Sequence, residues 1–186
     1  RGLRLDRGNS YANNFLATIY FLNGNLEAAL KYWNRIEQPQ IENIRPGTLR
    51  VNPELLDRAF VFAPGSMLQS SDFLTTEKRL DGLGIFVSHD FQLAVRNDGK
   101  FDVDFRARER NGMGGSTLQA VASTFRGILW NTAYPDYYNI RQSAINLNSL
   151  VRWDSQKRRL FASLSGPVRQ NPKYRLQIGT DLRNEN

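Results

Sequence analysis

The sequence predicts an α+β chain that turns into antiparallel strands, and three observations lead there. Apolar residues recur at helical spacing in four stretches before Gly84, alternation of apolar and polar residues takes over after it, and Asn, Gly and Pro punctuate the changes of period. The expected organisation is a helical hairpin over 1–38, a strand-helix-helix-strand-strand domain over 39–111, a glycine-rich linker with an amphipathic helix over 112–142, and antiparallel strands over 143–186.

In the first region Phe15, Leu16, Ile19 and Tyr20 lie on one helix and Leu26, Ala29, Leu30 and Trp33 on the next, with Asn23-Gly24-Asn25 as the turn. In the second, Ile41, Ile44, Leu49 and Val51 are β-prone but broken by Pro46-Gly47, which predicts a short strand and an extended crossing. Asn52-Pro53 then starts a helix, because the Asn amide can cap it and proline suits its first position. Leu55, Leu56, Ala59 and Phe60 form its buried face, and Pro64-Gly65 stops it. Ser70 or Ser71 caps the next helix, Phe73, Leu80 and Leu83 share a face, and Gly84 supplies the left-handed residue at its end.

A hairpin follows. Putting Val95 opposite Phe101, Leu93 opposite Val103 and Phe91 opposite Phe105 keeps the apolar side chains on one face. Asn97-Asp98-Gly99 is then a three-residue loop, whose last residue must be left-handed, and Gly99 adopts that conformation at little steric cost.

Beyond the linker, Leu118, Val121, Ala122, Phe125 and Ile128 or Leu129 recur at helical spacing, near Trp130, Tyr134, Tyr137 and Tyr138. Both packing on protein and lying at a membrane interface fit that helix and its aromatic cluster. In the tail, Ile145, Leu147, Val151 and Trp153 oppose Asn146, Asn148 and Arg152, while Tyr174, Leu176, Ile178 and Leu182 oppose Arg175, Gln177, Gly179 and Asp181. The segment between them, Leu160 to Ser165, alternates less clearly, and Gly166-Pro167 with Asn171-Pro172 marks a turn. A soluble sandwich and a barrel wall alternate alike, so period does not choose between them.

Most of the net charge of +7 resides in the tail, where eight basic residues face three acidic ones, whereas 39–111 holds ten basic and eleven acidic. A surplus spread over strands without an aromatic stacking platform argues against a nucleic-acid partner. With no cysteine and a single histidine, His89, neither a zinc site nor a histidine-based triad has its second member. His89 has the parity of Phe91 and reads as structural. Gly112-Met113-Gly114-Gly115 is followed by no Gly-Lys-Ser/Thr, so it is a hinge and not a phosphate loop. Asp102 and Asp104 fall on one solvated strand face. No catalytic residue, metal or cofactor is expected.

Leu16, Ala17, Tyr20, Gly24, Ala29 and Trp33 resemble one tetratricopeptide unit, with the usual proline displaced to Pro39. The order from 39 to 111, with APGSML at 63–68, KRLDGLGIF at 78–86 and FDVDFRARER at 101–110, resembles a POTRA domain of the outer-membrane protein assembly superfamily, the BamA/TamA-like proteins. The resemblance implies that the tail holds the first strands of a transmembrane β-barrel, with Ile145, Leu147, Val151, Trp153, Tyr174, Leu176, Ile178 and Leu182 facing lipid. It implies location at a bacterial outer membrane with the N-terminal part in the periplasm, and insertion or export of unfolded outer-membrane or secreted clients, with periplasmic partner subunits. Clients would add a strand to the edge at Asp90, Phe91, Gln92, Leu93, Ala94, Val95 and Arg96. On this reading the chain is a piece of a longer protein, because three tail strands close no barrel. A second reading is a soluble periplasmic scaffold that binds partner peptides.

Overall fold

A computed structural model describes residues 7–111, 122 and 125–185. Its elements are helices α1 (Ser10–Leu22) and α2 (Leu26–Trp33), a 3-10 turn (Asn34–Ile36), strand β1 (Ile41–Pro46), helices α3 (Pro53–Ala59) and α4 (Ser70–Leu83), and the hairpin β2 (Phe86–Val95) and β3 (Phe101–Glu109). After these come β4 (Thr132–Ala133), β5 (Tyr137–Ile140), β6 (Ile145–Trp153), β7 (Lys157–Val168) and β8 (Asn171–Glu185). One sheet has the order β1-β3-β2 with β1 and β3 parallel; in the other, β4 and β5 both pair with β6, and β7 and β8 follow. The chain is α+β, as the change of period predicts.

Two compact units interleave along the sequence. The first takes residues up to Thr48, Phe60–Arg79 and His89–Ala107; the second takes Leu49–Ala59, Leu80–Ser88 and Arg108 onward.

In the first unit, Asn9 and Asn25 cap α1 and α2 by accepting the N–H groups of Ala12 at 2.9 Å and Ala28 at 3.0 Å, and Gly24 takes φ +73° in the turn. The buried stripe of α1 is Asn13 and Ala17, whereas Phe15 and Ile19 are exposed. The small side chains of Ala17 and Ala29 are fully buried, and Trp33 fixes the rotation of the helices by donating its indole N–H to Asn14 at 3.0 Å. Asn13 is tolerated inside because its amide donates to the carbonyls of Arg7 and Asn9.

The sheet of this unit is closed by aromatic rings. Phe91 and Phe105 lie 4.9 Å apart between centroids, with Phe60, Phe62 and Phe73 edge-on to one or the other. Arg96 N–H donates to Lys100 C=O at 2.9 Å, which sets Val95 opposite Phe101, and Gly99 has φ +78°. The predicted register and loop are therefore observed. Val95 departs from expectation: it shares the face of Phe91 and Leu93 but is exposed. Neither predicted serine caps α4; the carbonyl of Gln69 accepts from Asp72 and Phe73, and Ser70 N–H is taken by Asn34 Oδ1 at 2.8 Å.

Asp102 is also not solvated. It is buried on the polar face of the sheet, where Asn43 donates to it at 2.9 Å, Arg45 at 2.5 Å and Arg96 at 3.4 Å. The hydrogen bond from Asn43 comes first among the influences that hold its carboxyl below the ordinary range, followed among the favourable ones by Arg45 and Arg96.

In the second unit, Asn52 caps α3 by accepting Glu54 N–H at 2.9 Å, and Leu55, Leu56 and Ala59 are buried as predicted. Gly84 ends α4 at φ +68°. The turn expected around Gly166-Pro167 and Asn171-Pro172 is made between them by Arg169-Gln170, with φ 51° and 57°, while both prolines sit inside strands. The glycine linker and most of the helix expected over 118–129 fall outside the described residues; 125–129 are helical.

Candidate functional site

The register of β6, β7 and β8 separates two faces. Leu147, Leu164 and Ile178 form one cross-strand row, Ser149, Ala162 and Thr180 the next, and Val151, Leu160 and Leu182 a third, all on the same face. Ile145 and Trp153 on β6 and Tyr174 and Leu176 on β8 share its parity. The face is open: Leu164, Ile178 and Leu182 keep 50%, 65% and 60% of their surface exposed. Every residue predicted for the apolar face of the tail therefore lies on one side of one sheet. Leu160 and Leu164 were not predicted. Phe161 lies between them on the opposite face and blurs the alternation, so only pairing against Val151 and Leu147 reveals them.

The opposite face is polar. Asn146, Ser165 and Gln177 make one row, Asn148, Ser163 and Gly179 another, and Arg152, Arg159 and Arg183 a third. Like charges in adjacent strands repel, and Asp181 compensates by accepting from both Arg159 at 2.8 Å and Arg183 at 2.5 Å. In the turn after β6, Arg152 first, and then the N–H groups of Gln156 and Lys157, lower the Asp154 carboxyl to about 2. Leu150 and Phe161 are the apolar exceptions on this side.

The end of α4 meets this polar face within the second unit. Asn146, 1% exposed, donates its amide to the Leu83 carbonyl at 2.8 Å and accepts Asn139 N–H at 3.1 Å. A side chain at Gly84 would begin 3.2 Å from the Asn146 amide and 3.3 Å from the Arg175 guanidinium and would press on both, and φ +68° itself favours glycine. Arg175 in turn donates to Ser165 at 2.8 Å. Two further bonds grip the turns below the strands: Asn52 N–H to the Gln142 carbonyl at 2.8 Å, and Arg58 to the Gln170 carbonyl at 3.4 Å.

In the first unit, β2 is an outer strand of its sheet. Asp90, Gln92 and Ala94 point to solvent, Phe91 and Leu93 are buried, Val95 is exposed, and Arg96 pairs with Asp98 and Asp102. His89 has a nearly buried side chain, lies against the Phe105 ring at 6.2 Å, and is 3.6 Å from the Glu77 carboxylate. An open groove of about 650 Å³, not visible in the sequence pattern, runs beside α1 and reaches Val95. Among the described residues no group of three or more His, Asp or Glu side chains could hold a metal ion, and no helix is long and apolar enough to cross a membrane.

No family model matches the chain, and no curated protein matches it by sequence. Among solved structures it is similar to BamA from Haemophilus ducreyi lacking POTRA domains 1–3, with 14% identity and a TM-score of 0.44 over 79% of this chain and 28% of that one. It is also similar to CdiB from Acinetobacter baumannii, with 13% identity and a TM-score of 0.44 over 78% of this chain and 28% of that one. The chain thus spans less than a third of the length of either structure.

Proposed function

We propose that the chain is part of an outer-membrane protein assembly or export factor, non-catalytic, in which β6–β8 are barrel wall and the β1-α3-α4-β2-β3 segment is a POTRA-like periplasmic domain. The observation that supports this most is the shared, uncovered apolar face of β6, β7 and β8. Burying each large apolar side chain is worth about 1.5–3 kcal/mol, and a face of this extent left in water would forfeit that gain repeatedly.

Its dimensions fit a bilayer. From Ile145 to Trp153 is eight steps, about 27 Å along the strand and about 20 Å across a membrane at the usual barrel tilt. Trp153 and Arg158 close the face at one end and Tyr174 stands near the other, which matches aromatic and cationic groups at headgroup depth. The sequence resemblance to POTRA domains supports the remainder. The β2 edge from Asp90 to Arg96 receives extended client segments by strand addition, and the α1–α2 hairpin is a tetratricopeptide-like unit open to partner subunits.

The test exploits the absence of cysteine from these 186 residues, any cysteine elsewhere in the intact protein being replaced by serine. Single substitutions Leu164→Cys, Ile178→Cys, Ser163→Cys and Gln177→Cys in the intact protein, labelled with an environment-sensitive dye in vesicles, are exposed to lipids with brominated acyl chains. Quenching at positions 164 and 178 but not at 163 and 177 is expected. Equal quenching at all four, or none at any, overturns the wall assignment and favours a soluble scaffold.

A further inference from the structure

Resting on the strand-addition reading of β2, we infer that the first unit selects its extended segments by side chain, taking a large apolar residue at one end of the edge and a Lys or Arg four residues away. The two ends of β2 differ. At Val95 the groove beside α1 is walled by Tyr11, Leu22 and Val95, exposed to 81%, 77% and 66%, over a floor that includes Trp33 and Phe101. Three apolar side chains left in water line this one cleft, Tyr11 near the start of α1 and Leu22 at its end. At Phe91, four residues away and on the same side of the strand, a second crevice of about 390 Å³ is bordered by Glu27, Glu77 and Asp90.

Helix α1 contributes to the first cleft, and the turn that follows it contributes to the second. Their spans agree, since thirteen helical residues and the six steps from His89 to Val95 each cover about 20 Å. A strand added to β2 continues its pleat, so every second side chain falls on the side of His89, Phe91 and Val95, toward these clefts. Extended polypeptide is the occupant that matches, because β2 is an outer strand of its sheet and lines both clefts, at Val95 in one and at His89, Asp90 and Phe91 in the other. Its side chains follow from complementarity: apolar against the groove at Val95, and cationic against Glu27 and Glu77.

Ten-residue Thr/Val peptides provide the probes: one carrying Leu and Lys four apart, one with Glu for the Lys, one with Ser for the Leu, and one with a central Pro. Photoreactive residues at Gln92 and, separately, at Thr18 of the intact protein in detergent report contact. The Leu/Lys peptide should crosslink from both positions and bind about tenfold more tightly than the Glu or Ser peptides, as one lost apolar or ionic contact implies. Glu77→Gln, or Glu27→Gln, should shrink the Lys-against-Glu difference, and Val95→Thr the Leu-against-Ser difference. Equal crosslinking from Gln92 by all peptides except the Pro one overturns the selectivity and leaves strand addition standing. No Pro-sensitive crosslink from Gln92 overturns both, and a Thr18 crosslink to a second copy of the chain overturns the choice of occupant.

Discussion

The two sheets carry the same period and bury opposite amounts of it. In the three-stranded sheet the alternate residues Phe91, Leu93, Val103 and Phe105 are all at most 8% exposed, whereas in the five-stranded sheet Leu160, Leu164, Ile178 and Leu182 are open by half or more, or close to it. Alternation therefore reports that a strand has two faces and leaves undecided what covers the apolar one: protein in the first sheet and, on the reading above, lipid in the second.

Matched substitutions sharpen that contrast. Phe105→Ala should cost about 3–5 kcal/mol in the urea denaturation of the first unit, because it empties the centre of the aromatic cluster. Ile178→Arg should cost about 2–4 kcal/mol when the intact protein is unfolded from vesicles, the range for a cation on the lipid face of a barrel. The same change would leave stability nearly unaltered if that face met water, so this one measurement breaks the comparison or confirms it.

A smaller effect is expected where the polar face meets a helix end. Asn146→Ala strands the Leu83 carbonyl and the Asn139 N–H and should cost about 1–3 kcal/mol, with faster hydrogen exchange at Asn139 as the local sign. The smallest is a pH effect in the first sheet. Because the Asp102 carboxyl is held below its ordinary value, its stabilisation is present above about pH 4 and is lost as pH falls through the depressed native value. Asp102→Asn should lower the urea midpoint at pH 7, and the gap to the unaltered protein should narrow steadily below pH 4.

What the residues disclosed follows from how local each decision is. Gly84, Gly99 and Asn52-Pro53 were legible because a left-handed φ or an orphan N–H is met by the residue at that position. The β2–β3 register was legible because a one-residue slip would have placed Asp102 among phenylalanines. The β7–β8 turn was legible only as a region, since the prolines bracket it while neither Arg169 nor Gln170, which make it, announces its positive φ. The rotation of α1 was not legible for another reason: its contact with α2 is set by Ala17, Ala29 and the Trp33 indole, which leaves Phe15 and Ile19 exposed. Asp102 was placed on the correct face, but its burial depends on Asn43 and Arg45, nearly sixty residues away in sequence. The groove beside α1 has no signature at all, because distant segments make it.

The bonds from Leu83, Asn52 and Arg58 to Asn146, Gln142 and Gln170 also have a mechanical consequence. Two helices seize two successive hairpins at separate points, and a body held at separate points resists twisting as well as bending. A tilt of the strands is thereby delivered to the ends of α3 and α4 as a torque, in the manner of a bracket with more than one bolt.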